Sequence, residues 1–138
     1  MTVTLPPGYK PTVKEEFMNE LQQEYFRQKL LSWRDDLLNE ANETRNHLQE
    51  GNPAQSDLAD RATAETDRSL ELRTRDRARK LISKIDEAID RIENGTYGYC
   101  EETDEPIGLK RLEARPIATL SIEAQERHER MERTRRDD

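Results

Sequence analysis

Residues 70–95 read LELRTRDRARKLISKIDEAIDRIENG, and their spacing decides the fold. Leu70, Thr74, Ala78, Leu81, Ile85, Ala88 and Ile92 recur at steps of three and four. That period places them along one stripe of an α-helix. Asn94-Gly95 closes the run, and a glycine there suits the left-handed residue that comes after a helix. Working back toward the N-terminus, nothing interrupts the helix before about Asp57 or Leu58, where Ser56 or Asp57 offers an N-cap.

Further back, Gly51-Asn52-Pro53 is a break. Before it, Val13 to Gln49 contains neither proline nor glycine. Phe26, Leu30, Trp33, Leu37, Ala41, Thr44 and Leu48 form a second helical stripe there. Two long helices on either side of a short break most simply fold back on each other, each burying its stripe against the other as an antiparallel coiled coil. About 35 residues at ~1.5 Å each make a rod of about 50 Å. Thr and Ala thin the seam toward the tip. Stability is therefore expected at the base, from Phe17, Leu21, Trp33, Ile85, Ile89 and Ile92.

The expected fold class is mostly α, with four parts. Residues 1–12, with Pro6, Pro7 and Pro11, form an extended arm, and Thr12 is a possible N-cap for the first helix. Residues 13–95 form the helical hairpin, with its tip at about 51–62. Residues 96–116, punctuated by Gly98, Pro106 and Gly108, form a compact knuckle with a short β-hairpin. Residues 117–138 form a C-terminal helix. Its pairs Glu123/Arg127, Glu126/Arg130, Glu129/Arg133 and Glu132/Arg136 have the favourable acid-first order of a solvated helix.

Composition excludes several functions. Charged residues make up 38% of the 138 and apolar residues 32%, which suits long solvated helices better than a large buried core. The net charge of −7 disfavours direct DNA binding, because duplex affinity comes largely from neutralising phosphates. The start, MTVTLPPGYKPTVKEEF, lacks the apolar core of a secretory signal, and no stretch has the length of a membrane span. A single cysteine, Cys100, allows no internal disulfide. These points favour a cytoplasmic monomer without membrane contact. An enzyme is not expected: His47 and His128 are far apart in the chain, Cys100 has no histidine near it in sequence, and no glycine-rich phosphate loop is present.

Two charge patterns have a plain and a functional reading. Asp57 and Asp60 at the tip either cap the second helix and favour its dipole, or are delivered by the rod to a distant basic or metal-containing site. Arg73, Arg77, Lys80 and Lys84 share a helix face within a locally basic stretch. They are either a solvated face or an anion site.

The knuckle has the frame of a zinc site without its donors. Cys100-x2-Thr103, seventeen residues, and Ser121-x2-Ala124 repeat the spacing of two CxxC pairs, yet three of the four positions have no ligand. Structural zinc takes four Cys or His donors. No zinc is therefore expected, and Tyr97, Tyr99, Ile107, Leu109 and Leu112 are the candidates to hold the loop by packing. A lone thiol is not expected to hold it, so Cys100→Ser should be tolerated.

Several runs together resemble the DksA/TraR family. They are Phe26-Arg27-x-x-Leu30-x-x-Trp33-Arg34, Asp57-x-x-Asp60-Arg61-Ala62, Ser69-Leu70-Glu71-Leu72-Arg73-x-Arg75-Asp76-Arg77, Lys80-Leu81-Ile82-x-Lys84-Ile85, Tyr97-Gly98-Tyr99-Cys100 and Arg111-Leu112-Glu113-Ala114-Arg115-Pro116. The resemblance covers roughly residues 15–125. It implies a regulator that enters the secondary channel of RNA polymerase, destabilises open promoter complexes and acts together with guanosine tetraphosphate. It assigns Asp57, Asp60 and Ala62 to the tip near the polymerase active site, Arg77 to polymerase binding, and Leu81, Lys84 and Arg115 to the nucleotide. Two departures stand out. The zinc positions carry Thr103, Ser121 and Ala124, and a lysine of the family is replaced by Gln125, which removes one phosphate contact. A transcript-cleavage factor working in the same channel, or a structural coiled-coil adaptor, is the alternative.

Overall fold

The computed structural model describes residues 3–50 and 58–137, and the side chains among them except those of 44, 45, 47–50, 58–60 and 135–137. The fold is mostly helical. The helices are α1 (Glu20–Glu50), α2 (Leu58–Asn94), α3 (Leu109–Ala114) and α4 (Ile122–Asp137). The chain divides into one unit of Met1–Leu30 with Glu87–Asp138 and a second of Leu31–Asp86.

α1 starts later than expected, at Glu20 rather than Val13. The missing breaker residues were only half the information. Thr12 is not the helix cap and closes only a single turn, its N–H and hydroxyl both donating to the Glu15 carboxylate at 3.0 Å. The helix cannot run through Met18, whose φ of 56° is left-handed. Two glutamines hold that backbone. The Met18 N–H donates to Gln22 Oε1 at 2.8 Å, and Gln23 Nε2 donates to the Met18 carbonyl at 2.7 Å. Asn19 is the actual cap, accepting the Gln22 N–H at 2.8 Å.

α2 ends at Asn94-Gly95, as its sequence predicts. Gly95 has φ 79°, its N–H reaches the Ile92 carbonyl at 3.2 Å, and the Thr96 N–H reaches the Arg91 carbonyl at 2.9 Å. This double bond pattern is the Schellman motif, which satisfies the last carbonyls of a helix.

In the first unit, Phe26, Leu30, Ala88, Leu112 and Ala124 are completely buried, with Ile92, Tyr97 and Cys100 nearly so. Each large apolar side chain so buried contributes about 1.5–3 kcal/mol. Phe17, Leu21, Trp33 and Ile89, expected at the base, are each only half-buried. Met18 and Gln22 are buried instead, and Gln22 is a polar residue whose two ends are both bonded, to the Met18 N–H and the Thr12 carbonyl.

In the second unit Leu37, Ala78 and Ile85 are buried, and Arg34 Nε meets Asp86 Oδ1 at 2.8 Å. The thinning of the seam is visible in α2. From Arg61 to Thr74 every residue but Glu71 is exposed, Leu70 included. The Thr66 and Thr74 hydroxyls turn back onto the carbonyls of Ala62 and Leu70, at 3.0 Å each, so they take no part in an apolar seam.

The expected β-hairpin in the knuckle is reduced to one bridge, Tyr99 with Pro106, and the described residues contain no longer strand. Asp104, at φ 60°, turns the loop back. Residues 109–114, expected within the knuckle, form α3, while the C-terminal helix starts at Ile122 rather than at 117. Ser121 sets that start by accepting the Ala124 N–H at 3.2 Å. Ile117 and Ala118 before it are buried in a turn.

Candidate functional site

The assigned residues fall into separate places. Asp57 lies outside the described residues. Asp60 is in the first turn of α2, but its side chain is not among those described. Ala62 is exposed on the same helix.

Arg77, Leu81 and Lys84 succeed one another at steps of four and three on α2, so one face presents them together. Leu81 is half-buried, and Arg77 and Lys84 are exposed. Arg73 and Lys80 flank them. Among the described residues no carboxylate pairs with Arg73, Arg77, Lys80 or Lys84, whereas Arg79 sits 3.9 Å from Asp76. This face of α2 is therefore positively charged among the described residues.

Arg115 belongs to the other unit. It is the C-cap of α3, with φ −142° and ψ 85°, and its side chain is exposed. The proline after it favours that extended backbone. Next to it is a cluster that sequence reasoning missed. Lys29 Nζ donates to the Glu113 carbonyl at 3.0 Å and to Glu113 Oε2 at 2.6 Å. The Tyr25 phenol adjoins the same carboxylate. Burial alone would push the Glu113 carboxyl up, but the Lys29 bond and the Tyr25 phenol, with the charges of Lys29 and Lys10, hold it below the usual carboxylate range. Burial and the adjoining Glu113 carboxylate raise Tyr25 to about 12. The available signal was the spacing of Tyr25 and Lys29, one helical turn apart.

The knuckle centres on Tyr97 and Cys100. Tyr97 donates from its hydroxyl to the Pro116 carbonyl at 2.8 Å. Gly98, at φ 92°, lies so close to the N-terminal arm that a Cβ would stand 3.0 Å from Met18 Cγ. Tyr99 meets Phe17 edge to face at 5.5 Å. Cys100 is 1% exposed. Burial pushes its thiol up, yet the polar surroundings, the Thr103 hydroxyl first and then the N–H groups of Ser121, Thr103 and Glu102, outweigh that and lower it to about 6. Cys100 thus has more polar neighbours than the sequence reading allowed.

The Thr103 hydroxyl accepts the Glu105 N–H at 3.3 Å, the Ser121 hydroxyl caps α4, and Ala124 has no donor atom. Cys100, Thr103, Ser121 and Ala124 do not make a zinc donor set. Among the described residues no group of three or more His, Cys, Asp or Glu side chains is placed to hold a metal.

Two family models match. "DnaK suppressor protein DksA, N-terminal domain" spans residues 22–92, and "Prokaryotic dksA/traR C4-type zinc finger" spans residues 95–130. The chain belongs to the DksA family. The RNA polymerase-binding transcription factor DksA of Caulobacter vibrioides (strain NA1000 / CB15N) is 66% identical over 130 residues, covering 94% of this chain and 92% of that protein. The protein of the same name from Escherichia coli (strain K12) is 45% identical over 115 residues, covering 83% and 76%. The solved structure of transcription factor DksA2 from Pseudomonas aeruginosa superposes with a TM-score of 0.78 at 47% identity, covering 85% of this chain and 90% of that one. The DksA family's second model describes a C4-type finger, and this member has a single cysteine, Cys100.

Proposed function

We propose that this chain regulates transcription by binding RNA polymerase, with the two long helices forming a hairpin that enters the secondary channel. The observation that carries the reading is its two-thirds identity, along nearly its whole length, with a relative named as an RNA polymerase-binding transcription factor. The Arg34–Asp86 pair, which joins α1 to α2 within one unit, supports the hairpin. No helix among the described residues is long and apolar enough to cross a membrane. A cytoplasmic site of action is consistent with that.

In this reading Asp57, Asp60 and Ala62 form the tip, Arg77 contributes to polymerase binding, and Leu81, Lys84 and Arg115 meet guanosine tetraphosphate. Gln125 in place of a lysine weakens that nucleotide contact. The knuckle closes by packing and by the polar surroundings of Cys100, without zinc. The protein regulates the polymerase and carries no catalytic group of its own.

The test is a pulldown with core RNA polymerase, then transcription from a ribosomal RNA promoter with and without guanosine tetraphosphate. Binding with nucleotide-enhanced repression is the expected result. Absence of binding overturns the reading. Stimulated cleavage of a backtracked transcript would instead make the chain a cleavage factor.

A further inference from the structure

Arg115 presents an exposed guanidinium from a backbone that is tied down on several sides. Its N–H donates to the Arg111 carbonyl at 2.7 Å, and its carbonyl accepts the Ala118 N–H at 3.0 Å. The next carbonyl, of Pro116, accepts the buried Tyr97 hydroxyl at 2.8 Å. Arg111 Nε reaches forward to the Leu120 carbonyl at 2.9 Å. The remaining tie comes from α1, through Lys29 on Glu113, with the Tyr25 phenol beside the same carboxylate.

The α1 tie has an unusual form. Lys29 takes both the main-chain carbonyl and the carboxylate of the same residue, so it fixes the backbone of Glu113 and its side chain together. The Lys29 and Glu113 side chains are 36% and 37% exposed. An ion pair that open adds little to stability. What it does constrain is direction. A guanidinium is a planar fork whose contact with phosphate depends on its orientation, and a contact made from an untethered loop loses affinity to ordering. Among the described residues no carboxylate engages Arg115 itself, so its charge is available.

We propose that Lys29, assisted by Tyr25, is a positioning residue for Arg115: by gripping Glu113 it holds the turn after α3 in the orientation from which the guanidinium meets a nucleotide's phosphates. This rests on Arg115 being a phosphate contact.

The experiment titrates guanosine tetraphosphate against promoter repression by the full chain on RNA polymerase, using Lys29→Met, Lys29→Arg, Tyr25→Phe, Arg115→Ala and the Lys29→Met/Arg115→Ala pair. Lys29→Met should raise the half-maximal nucleotide concentration about 5- to 10-fold, the scale on which misplacement of a binding group is felt, while nucleotide-free binding to polymerase stays within about twofold. Lys29→Arg should restore the wild-type value, and Tyr25→Phe should shift it in the same direction by less. The paired variant should be no worse than Arg115→Ala, because Lys29 acts through Arg115. If Lys29→Met loses helicity, a shift from Tyr25→Phe alone must carry the proposal, and no shift there overturns it. A wild-type response from folded Lys29→Met, with a weakened one from Arg115→Ala, overturns the positioning role alone. A wild-type response from Arg115→Ala overturns the phosphate assignment and the positioning role with it.

Discussion

The Tyr97 hydroxyl and the Pro116 carbonyl meet at 2.8 Å in the interior, nineteen residues apart in the chain. This bond closes the knuckle from the α2 side onto the segment that carries Arg115. Burial holds the Tyr97 phenol well above its usual range, so the proton stays in place at any physiological pH.

Tyr97→Phe removes the donor and leaves a buried carbonyl without its partner. The expected cost is about 1–3 kcal/mol. Denaturant unfolding should show a lower midpoint with an unchanged slope. An unchanged midpoint would mean that water satisfies the Pro116 carbonyl equally well.

Gly98 and Gly95 separate crowding from backbone strain. Both have positive φ, 92° and 79°, but of the two only Gly98 has a neighbour within 4 Å of an added Cβ. Gly95→Ala should cost about 1 kcal/mol for its left-handed backbone. Gly98→Ala should cost more, about 1–3 kcal/mol, because Met18 must also move. Adding Met18→Ala should recover part of the excess at Gly98 and none at Gly95. Equal losses for the two glycine variants would show that the arm yields freely.

Cys100 makes stability depend on pH. Its pKa is lowered in the fold from 9.0 to about 6, so the folded state binds the proton less tightly than the unfolded chain. The stabilisation is complete above about pH 9 and is lost as the pH falls through about 6. Cys100→Ser has no such titration. The stability difference between wild type and Cys100→Ser should therefore widen from pH 6 to 9, read by urea unfolding at each pH. A difference that stays constant across that range would sink the buried-thiolate account and return Cys100 to a replaceable core residue.

The tip and the basic face should separate in function. Asn caps a helix about as well as Asp, so Asp57→Asn should keep wild-type helicity and polymerase binding, and Asp60→Asn should lose only a dipole contribution of about 0.3–1 kcal/mol. If the carboxylates act inside the channel, Asp60→Asn loses promoter repression with and without nucleotide. Lys84→Ala should lose only the nucleotide's effect, at about 1.5–3 kcal/mol for a charge-assisted contact, and Gln125→Lys should strengthen it. Full repression by the Asp57→Asn/Asp60→Asn pair would make the tip a helix cap and nothing more.

What was legible in the chain came from local chemistry. Asn94-Gly95 marked the end of α2, because a left-handed residue there lets the chain satisfy the last carbonyls. The stripe from Ala78 to Ile92 was legible because its buried members, Ala78, Ile85, Ala88 and Ile92, are apolar at the helical period. The start of α1 was not. Val13 to Asn19 contains no breaker, and the left-handed Met18 depends on two glutamine side chains that no local rule anticipates. Gln22 was missed as a core residue for the same reason: a polar side chain is buried only when its partners are known. The grip of Lys29 on Glu113 spans 84 residues of chain and left no trace in the spacing around Arg115.

The first unit is made of the two ends of the chain. Phe26 packs against Tyr97, Phe17 against Tyr99, and Met18 crowds Gly98. On the ribosome Phe17, Met18 and Phe26 emerge before α2, yet each of their partners is made only after the whole of α2. Until the knuckle emerges, Phe26 and Phe17 lack these partners. Synthesis therefore imposes a waiting period on these early residues. The unit then closes late, because its contacts have long sequence separation.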